Sequence, residues 1–178
     1  MNNFSIIPTD RVVDVGSGDH PFEMANVLVD LNPDDNKERG GAFVRLSGAK
    51  IVKADIHNLP FKDKEFDFVH CHDLLEHVDN PNKACSELIR IGKRGHIRTS
   101  TELFERLYGR PYHKWVCRYE NNILIFKRKP KDFKENFGDF FDRLYRDNIE
   151  FKEITHRNMN LFFVEFEWKG KFEWKIEI

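Results

Sequence analysis

The chain lacks any apolar run of 18 residues, the length a membrane-spanning helix requires. Its opening stretch, MNNFSIIPTD, has no apolar centre of the kind a secretory signal carries. Cysteine is scarce: Cys71, Cys85 and Cys117 are an odd number with no Cys-x-x-Cys spacing. A disulfide framework is therefore not expected, and a reducing cytoplasm is the natural setting. Charge of one sign is also missing. Lys and Arg total 29 against 30 Asp and Glu, a formal net charge of -1. Nothing global steers the protein to nucleic acid or to an anionic membrane. Internal repeats, linkers and low-complexity segments are absent.

What is present is a soluble globular composition, 40% apolar and 33% charged over 178 residues, enough for one domain with a real core. Seventeen phenylalanines are many for this length and read mostly as core and hairpin faces. Short β-branched or apolar runs at Arg11 to Val15, Val27 to Asp30, Lys50 to Ala54, Phe66 to Cys71 and Gly95 to Ser100 end in polar or Gly/Pro punctuation. They suit strands buried in a parallel sheet. A helix is predicted over Asn82 to Ile91, with Asn80 as candidate cap, Pro81 at a first helical position, and Ala84, Leu88 and Ile91 at helical spacing. Strands alternating with crossovers make the fold α/β.

Past Ser100 the pattern changes. A helix over Thr101 to Tyr108 stops at Gly109 and Pro111. Trp115 to Tyr119 and Ile123 to Lys127 flank ENN and predict a hairpin. Phe133 to Tyr145 has helical spacing, and NLFFVEFEWKGKFEWKIEI reads as a second hairpin around Gly170. The expected organisation is one domain over residues 1–178, with a core of about 10–100 and a hairpin, helix and hairpin extension over 101–178. Asp34 to Gly41, DDNKERGG, is the best mobile-loop candidate.

The stretch VVDVGSGDHPF, Val12 to Phe22, carries the chemistry. Gly16 and Gly18 can take positive φ and let a ligand lie against bare backbone. Nicotinamide and flavin cofactors would bring a pyrophosphate there, and Asp14 is a poor neighbour for that anion. The acid suits a ligand with a cationic amine. S-adenosylmethionine (SAM) offers an ammonium and a sulfonium and has no phosphate. Asp30, ending VLVD, can take both ribose hydroxyls as donors. Asp55, in ADIHNLPF, can accept from an adenine amino group while the Ile56 backbone meets the ring edge. Any one strand-end Asp can equally be a turn or cap residue. Three at successive strand ends form one constellation.

VVDVGSGDHPF, VLVDLNP, ADIHNLPFKDKEFDFVHCHDLLEHVDNP and ELIRIGKRGHI, spanning residues 11 to 98, resemble the type 11 group of class I SAM-dependent methyltransferases. The resemblance implies a Rossmann-like, mostly parallel, seven-stranded sheet with SAM over its carboxyl edge. On that pattern Asp14, Gly16 and Gly18 flank the methionine end. Asp30 holds the ribose, Asp55 and Ile56 the adenine, His72 lies under the ligand, and Leu31 is a further cofactor-binding residue. It implies methyl transfer to a small-molecule acceptor, for which an oxygen of a sugar or metabolite is the expectation. A non-catalytic SAM-binding or partner-binding module is the alternative, and an oligomer is compatible with either.

Two departures matter. The usual third glycine is His20. Only eight residues, Asp19 to Asn26, separate Gly18 from Val27. A helical crossover normally needs at least about 10–12. One turn or an extended link is therefore predicted in place of the first helix, leaving one sheet face thinly covered.

The stretch VHCHDLLEHV raises the question of metal, since His70 and His72 alternate on a strand and could face one side. A zinc site needs three or four converging ligands. The resemblance already accounts for the stretch, so no metal is expected, and His77 reads as a hydrogen-bonded structural residue. The candidate catalytic bases are Asp73, after the fourth strand, and His113 in GRPYHKW. Tyr112 and Trp115 could wall an acceptor pocket. Equally, they could pack the hairpin, with His113 as its cap. The basic run FKRKPK, Phe126 to Lys131, reads as a solvated hairpin end rather than an RNA groove.

Overall fold

The structure is a computed structural model that describes residues 4–35, 41–130, 137 and 139–177. Its Cα positions fall into two compact units. The first is Met1–His72, Asn82–Ile97 and Glu167–Phe172, and the second is Asp73–Pro81, Arg98–Phe166 and Glu173–Ile178.

In the first unit, β1 (Val12–Val15), β2 (Val27–Asp30), β3 (Lys50–Lys53) and β4 (Phe68–His72) follow the predicted apolar runs to within two residues at each start. β1 pairs in parallel with β2 and with β4, and β2 pairs in parallel with β3. With β5 (Arg94–Ser100) and β8 (Phe163–Lys169) the sheet order is β3-β2-β1-β4-β5-β8. All four residues of β1 are buried, which is why VVDV reads as a continuous run with no alternation. The helix α1 (Pro81–Ile91) follows β4. Its Ala84, Leu88 and Ile91 are fully buried, as the helical spacing requires. Full burial of a side chain such as Leu88 contributes roughly 1.5–3 kcal/mol.

Among the described residues, none between Gly18 and Val27 is helical. The thin sheet face is covered instead by apolar side chains of the link itself and of other segments. Phe4, Ile6, Phe22, Phe43, Leu46, Ala49 and Ile51 pack on the buried Val12, Ala25, Leu28 and Phe68. The expected mobile loop, Asp34 to Gly41, falls mostly on residues 36–40, outside the described residues.

The second unit holds α2 (Glu102–Tyr108), β6 (Trp115–Glu120), β7 (Ile123–Arg128), α3 (Phe140–Asp147), α4 (Ile149–Arg157), α5 (Met159–Phe162) and β9 (Glu173–Glu177). Thr101 caps α2 through a bond accepted from the Phe104 amide, and Gly109 ends it at φ 56°. β6 and β7 form the predicted hairpin, with Glu120 opposite Ile123. Asn121 and Asn122 sit at φ 51° and 63°, the left-handed pair that a two-residue turn demands. The start of the helix predicted over Phe133 to Tyr145 lies outside the described residues, as does Lys131 of the basic run.

The second expected hairpin does not form as such. Around Gly170, at φ 77°, the strands meet in a single bridge, Lys169 to Lys171. β8 belongs to the six-stranded sheet, while β9 pairs in parallel with β7. Alternating apolar and charged residues specify a half-buried strand, not its partner. Six strands, rather than seven, make up the larger sheet among the described residues.

Gly95 in β5 marks a close approach. A Cβ there would lie 2.3 Å from the Val69 carbonyl oxygen and 2.9 Å from the Trp168 indole nitrogen. Neither the backbone nor the buried indole can yield cheaply. Gly95→Ala should cost about 1–3 kcal/mol in urea unfolding by overpacking. Wild-type stability in that variant would contradict the approach.

Candidate cofactor and catalytic residues

The glycine loop begins where β1 ends. Gly16 and Gly18 take φ 82° and 50°, conformations that side chains rarely adopt. The Gly16 and Ser17 amides donate to the Val29 carbonyl at 2.8 and 3.1 Å, locking the loop to the end of β2. Asp30 accepts from the Gly18 amide at 3.3 Å and from the Asn32 amide at 2.8 Å. The Ala54 amide donates to the Asp30 carbonyl at 3.0 Å, which brings Asp55 to the next strand end. The glycine loop, Asp30 and Asp55 thus stand at the carboxyl ends of three adjacent parallel strands. Leu31 is exposed beside them, and Ile56 is buried.

Asp55 accepts from both the backbone amide and the ring Nδ1 of His57, at 2.8 and 2.6 Å. Burial works to raise its pKa, but those two donors outweigh it and hold the carboxyl below its ordinary value. The loop that follows is anchored from α1. Arg90 donates to the Phe61 and Leu59 carbonyls at 2.6 and 2.9 Å, and Glu87 accepts from the Leu59 amide at 2.7 Å. Arg90 and Glu87 also pair with each other, and that hydrogen bond keeps the Glu87 carboxyl below its ordinary value. Sequence reasoning did not single out this pair. Their spacing of three on a helix was the available signal.

Asp14 lies beneath the loop, 2% exposed. One oxygen accepts from the Phe22 amide at 2.9 Å and the other from His70 Nδ1 at 2.7 Å. Both oxygens of the carboxylate expected to flank a ligand's methionine end thus have partners within the protein. The Phe22 ring stacks on His70 at 4.4 Å between centroids. His70 and His72 do share a face, 3.7 Å apart, and His72 Nε2 shares a hydrogen bond of 2.6 Å with His96 Nδ1.

The two candidate bases belong to the second unit. Asp73 sits at φ 51° and faces Arg98, which donates to both carboxylate oxygens. Arg98 also lies over the Phe163 ring. His113 is buried, with Nδ1 bonded to Glu105. Glu105 is fully buried and accepts from Lys129 Nζ at 2.6 Å. Burial would raise the Glu105 pKa, but His113 and Lys129 hold it below the ordinary value. Lys129 is therefore not part of a solvated hairpin end: a buried carboxylate 24 residues back draws it inward. Trp115 packs within the hairpin against Phe126 and donates to the Val78 carbonyl at 2.7 Å. Tyr112 is part-exposed and stacks on His77. Burial pushes Glu76 up to about 7, assisted by the Asp73 charge. Burial, then His113, pushes His77 down to about 3. The three cysteines are buried and unpaired with one another.

Residues 14–97 match the family model of a methyltransferase domain, type 11. The match covers just under half of the chain. Over 89 residues the chain is 35% identical to the uncharacterised protein MJ1123 of Methanocaldococcus jannaschii, covering 50% of this chain and 42% of that protein. The chain therefore spans less than half the length of the curated relative it matches. A SAM-dependent methyltransferase from Thermotoga maritima is similar at 27% identity, with 53% of this chain and 45% of that one covered and a TM-score of 0.42. The YcgJ protein from Bacillus subtilis is similar at 16% identity, covering 64% and 65%, with a TM-score of 0.46.

Glu105→Gln should cost roughly 3–5 kcal/mol at neutral pH, because it leaves Lys129 buried without its counter-charge. The folded pKa is depressed, so the stabilisation is present above the unfolded value, near 4.5, and is lost as pH falls below it. Wild-type stability should drop on acidification through that window, and the variant's should drop less. Parallel pH profiles in denaturant unfolding would rule this out.

Proposed function

We propose that the chain binds SAM along the carboxyl edge of β1 to β4 and transfers its methyl group to a small acceptor, an oxygen of a sugar or other metabolite. The observation that carries the reading is the convergence of the Gly16–Gly18 loop, Asp30 and Asp55 at three adjacent strand ends. The loop also fits the group on its own terms. Among the described residues the Ser17 hydroxyl is buried yet has no hydrogen-bond partner, and a Cβ at Gly18 would meet only the Gly16 carbonyl at 3.8 Å. An orphaned polar atom in a loop lined by backbone calls for a polar ligand.

When bound, SAM supplies an electrophilic methyl on a sulfonium. In this reading Asp30 and Leu31 hold the ribose, Asp55 and Ile56 the adenine, and His72 closes the edge after β4. Asp14 acts from below, fixing the loop and contributing negative charge under the ligand's cationic end. His113 is the proposed base. Glu105 holds its Nδ1, so that Nε2 can take the acceptor's proton. Asp73 is the other candidate, though the Arg98 fork lowers its claim. Near-neutral charge and three cysteines with no Cys-x-x-Cys spacing support a small-molecule acceptor and the cytoplasm rather than nucleic acid or membrane. Among the described residues no helix is long and apolar enough to cross a membrane. A SAM-binding module without catalysis is the second reading. The Asp73–Arg98 pair and a family match confined to residues 14–97 favour it.

Calorimetry is the test. SAM and S-adenosylhomocysteine should bind with one-to-one stoichiometry and NAD should not. Asp30→Ala should weaken SAM about 10–100-fold through lost charge-assisted hydrogen bonds. NAD binding without SAM would overturn the reading. His113→Ala should lower turnover while leaving SAM affinity unchanged. A SAM-binding protein that methylates nothing in a broad glycan and metabolite panel would favour the second reading.

A further inference from the structure

The second unit contains a donor set that includes none of the residues assigned to SAM, though it shares His113 with the proposed base. Glu76 and His77 lie in the turn after Asp73, and His113 lies just before β6. One ligating atom from each falls within 4.8 Å of the other two, and Glu76 and His113 are buried. The backbone fixes all three positions. The Glu76 carbonyl accepts from the Lys114 and Trp115 amides at 2.7 and 3.1 Å, the His77 amide donates to the Leu74 carbonyl at 3.0 Å, and the His113 amide donates to the Arg110 carbonyl at 3.2 Å.

Each side chain is also oriented by a further contact. The Thr99 hydroxyl donates to one Glu76 oxygen at 2.8 Å, and the Ser100 amide approaches the other at 3.3 Å. His113 Nδ1 is held by Glu105, whose other oxygen takes Lys129. The His77 ring stacks on Tyr112, 5.3 Å between centroids. A ligating histidine characteristically gives its second ring nitrogen to a carboxylate or a carbonyl, and ligating carboxylates are themselves hydrogen-bonded. His113 and Glu76 meet that pattern here.

We propose that Glu76, His77 and His113 form a binding site for one divalent transition-metal ion of the zinc class. Two imidazoles and one carboxylate are a borderline-soft donor set that suits tetrahedral Zn(II), leaving a fourth position for water. The sequence pointed away from metal because it offered only the local run VHCHDLLEHV. The third donor stands 36 residues after His77 and joins the set only when β6 starts against the Glu76 turn. The site uses none of the residues assigned to SAM, but it takes the same His113 Nε2 as the base reading, so an occupied site leaves Asp73 as the base.

The full-length chain should take up one equivalent of Zn(II), and Co(II) in its place should show the intense visible bands of a tetrahedral site. Thr99→Val should lower metal affinity about 10–100-fold, while His77→Gln should remove the tetrahedral bands with the far-ultraviolet circular dichroism unchanged. His96→Gln, in the other histidine cluster, should bind as the wild type does. No stoichiometric uptake by the wild type would overturn the proposal, and that result needs no variant to fold. So would tetrahedral Co(II) bands that survive in folded His77→Gln, or that vanish in His96→Gln instead.

Discussion

The fold of the first unit depends on what the Asp14 carboxylate does with its two oxygens. Eight residues cannot carry a helical crossover from β1 to β2, so the chain must return to the sheet almost at once. Asp14 makes that possible by taking the Phe22 amide on one oxygen and His70 on the other. Phe22 then lies flat on the His70 ring and fills space that a helix would otherwise cover. Phe4, 5.5 Å from Phe22, extends the cover over Phe68. A buried carboxylate with both oxygens satisfied is tolerable. The same carboxylate with one donor removed would leave a charge uncompensated. The short crossover is therefore held to the sheet by Asp14 and covered by Phe22.

A second buried carboxylate organises the other unit. Glu105 is fully buried at the centre of α2, and it collects His113 from the loop before β6 and Lys129 from the end of β7. Segments far apart in the chain are thus tied to one helix by charge. The hairpin they flank is closed by its own Asn-Asn turn and packed by Trp115 and Phe126. The Glu105–His113 pair gives the histidine a fixed ring orientation, which both a general base and a metal ligand require.

Local patterns were legible and long-range partners were not. β1 to β5, α1 and α2 follow from short apolar runs, helical spacing and punctuation by Pro81 and Gly109. The missing first helix was readable as a length constraint. The strand-end positions of Asp30 and Asp55 followed from the order of the runs. What escaped was choice of partner. The tail around Gly170 alternates correctly for two strands, yet its halves join different sheets, because alternation is blind to which edge is open. Sequence shows Asp14 as an acid beside glycines, but not the histidine 56 residues on that bonds to it. His113 was visible as a histidine, but Glu105 and Lys129 beside it were not, since tertiary packing alone joins them.

The central claim is that the Gly16–Gly18 loop, Asp30 and Asp55 form one nucleoside site. Backbone hydrogen exchange with and without S-adenosylhomocysteine tests it most directly, because protection reports where the ligand orders the chain. The account predicts slowed exchange at Gly16 to Gly18, at Leu31 and Asn32, and at Ile56 and His57, with NAD producing none of it. Protection confined to other segments, or the same protection with NAD and not with S-adenosylhomocysteine, would contradict it.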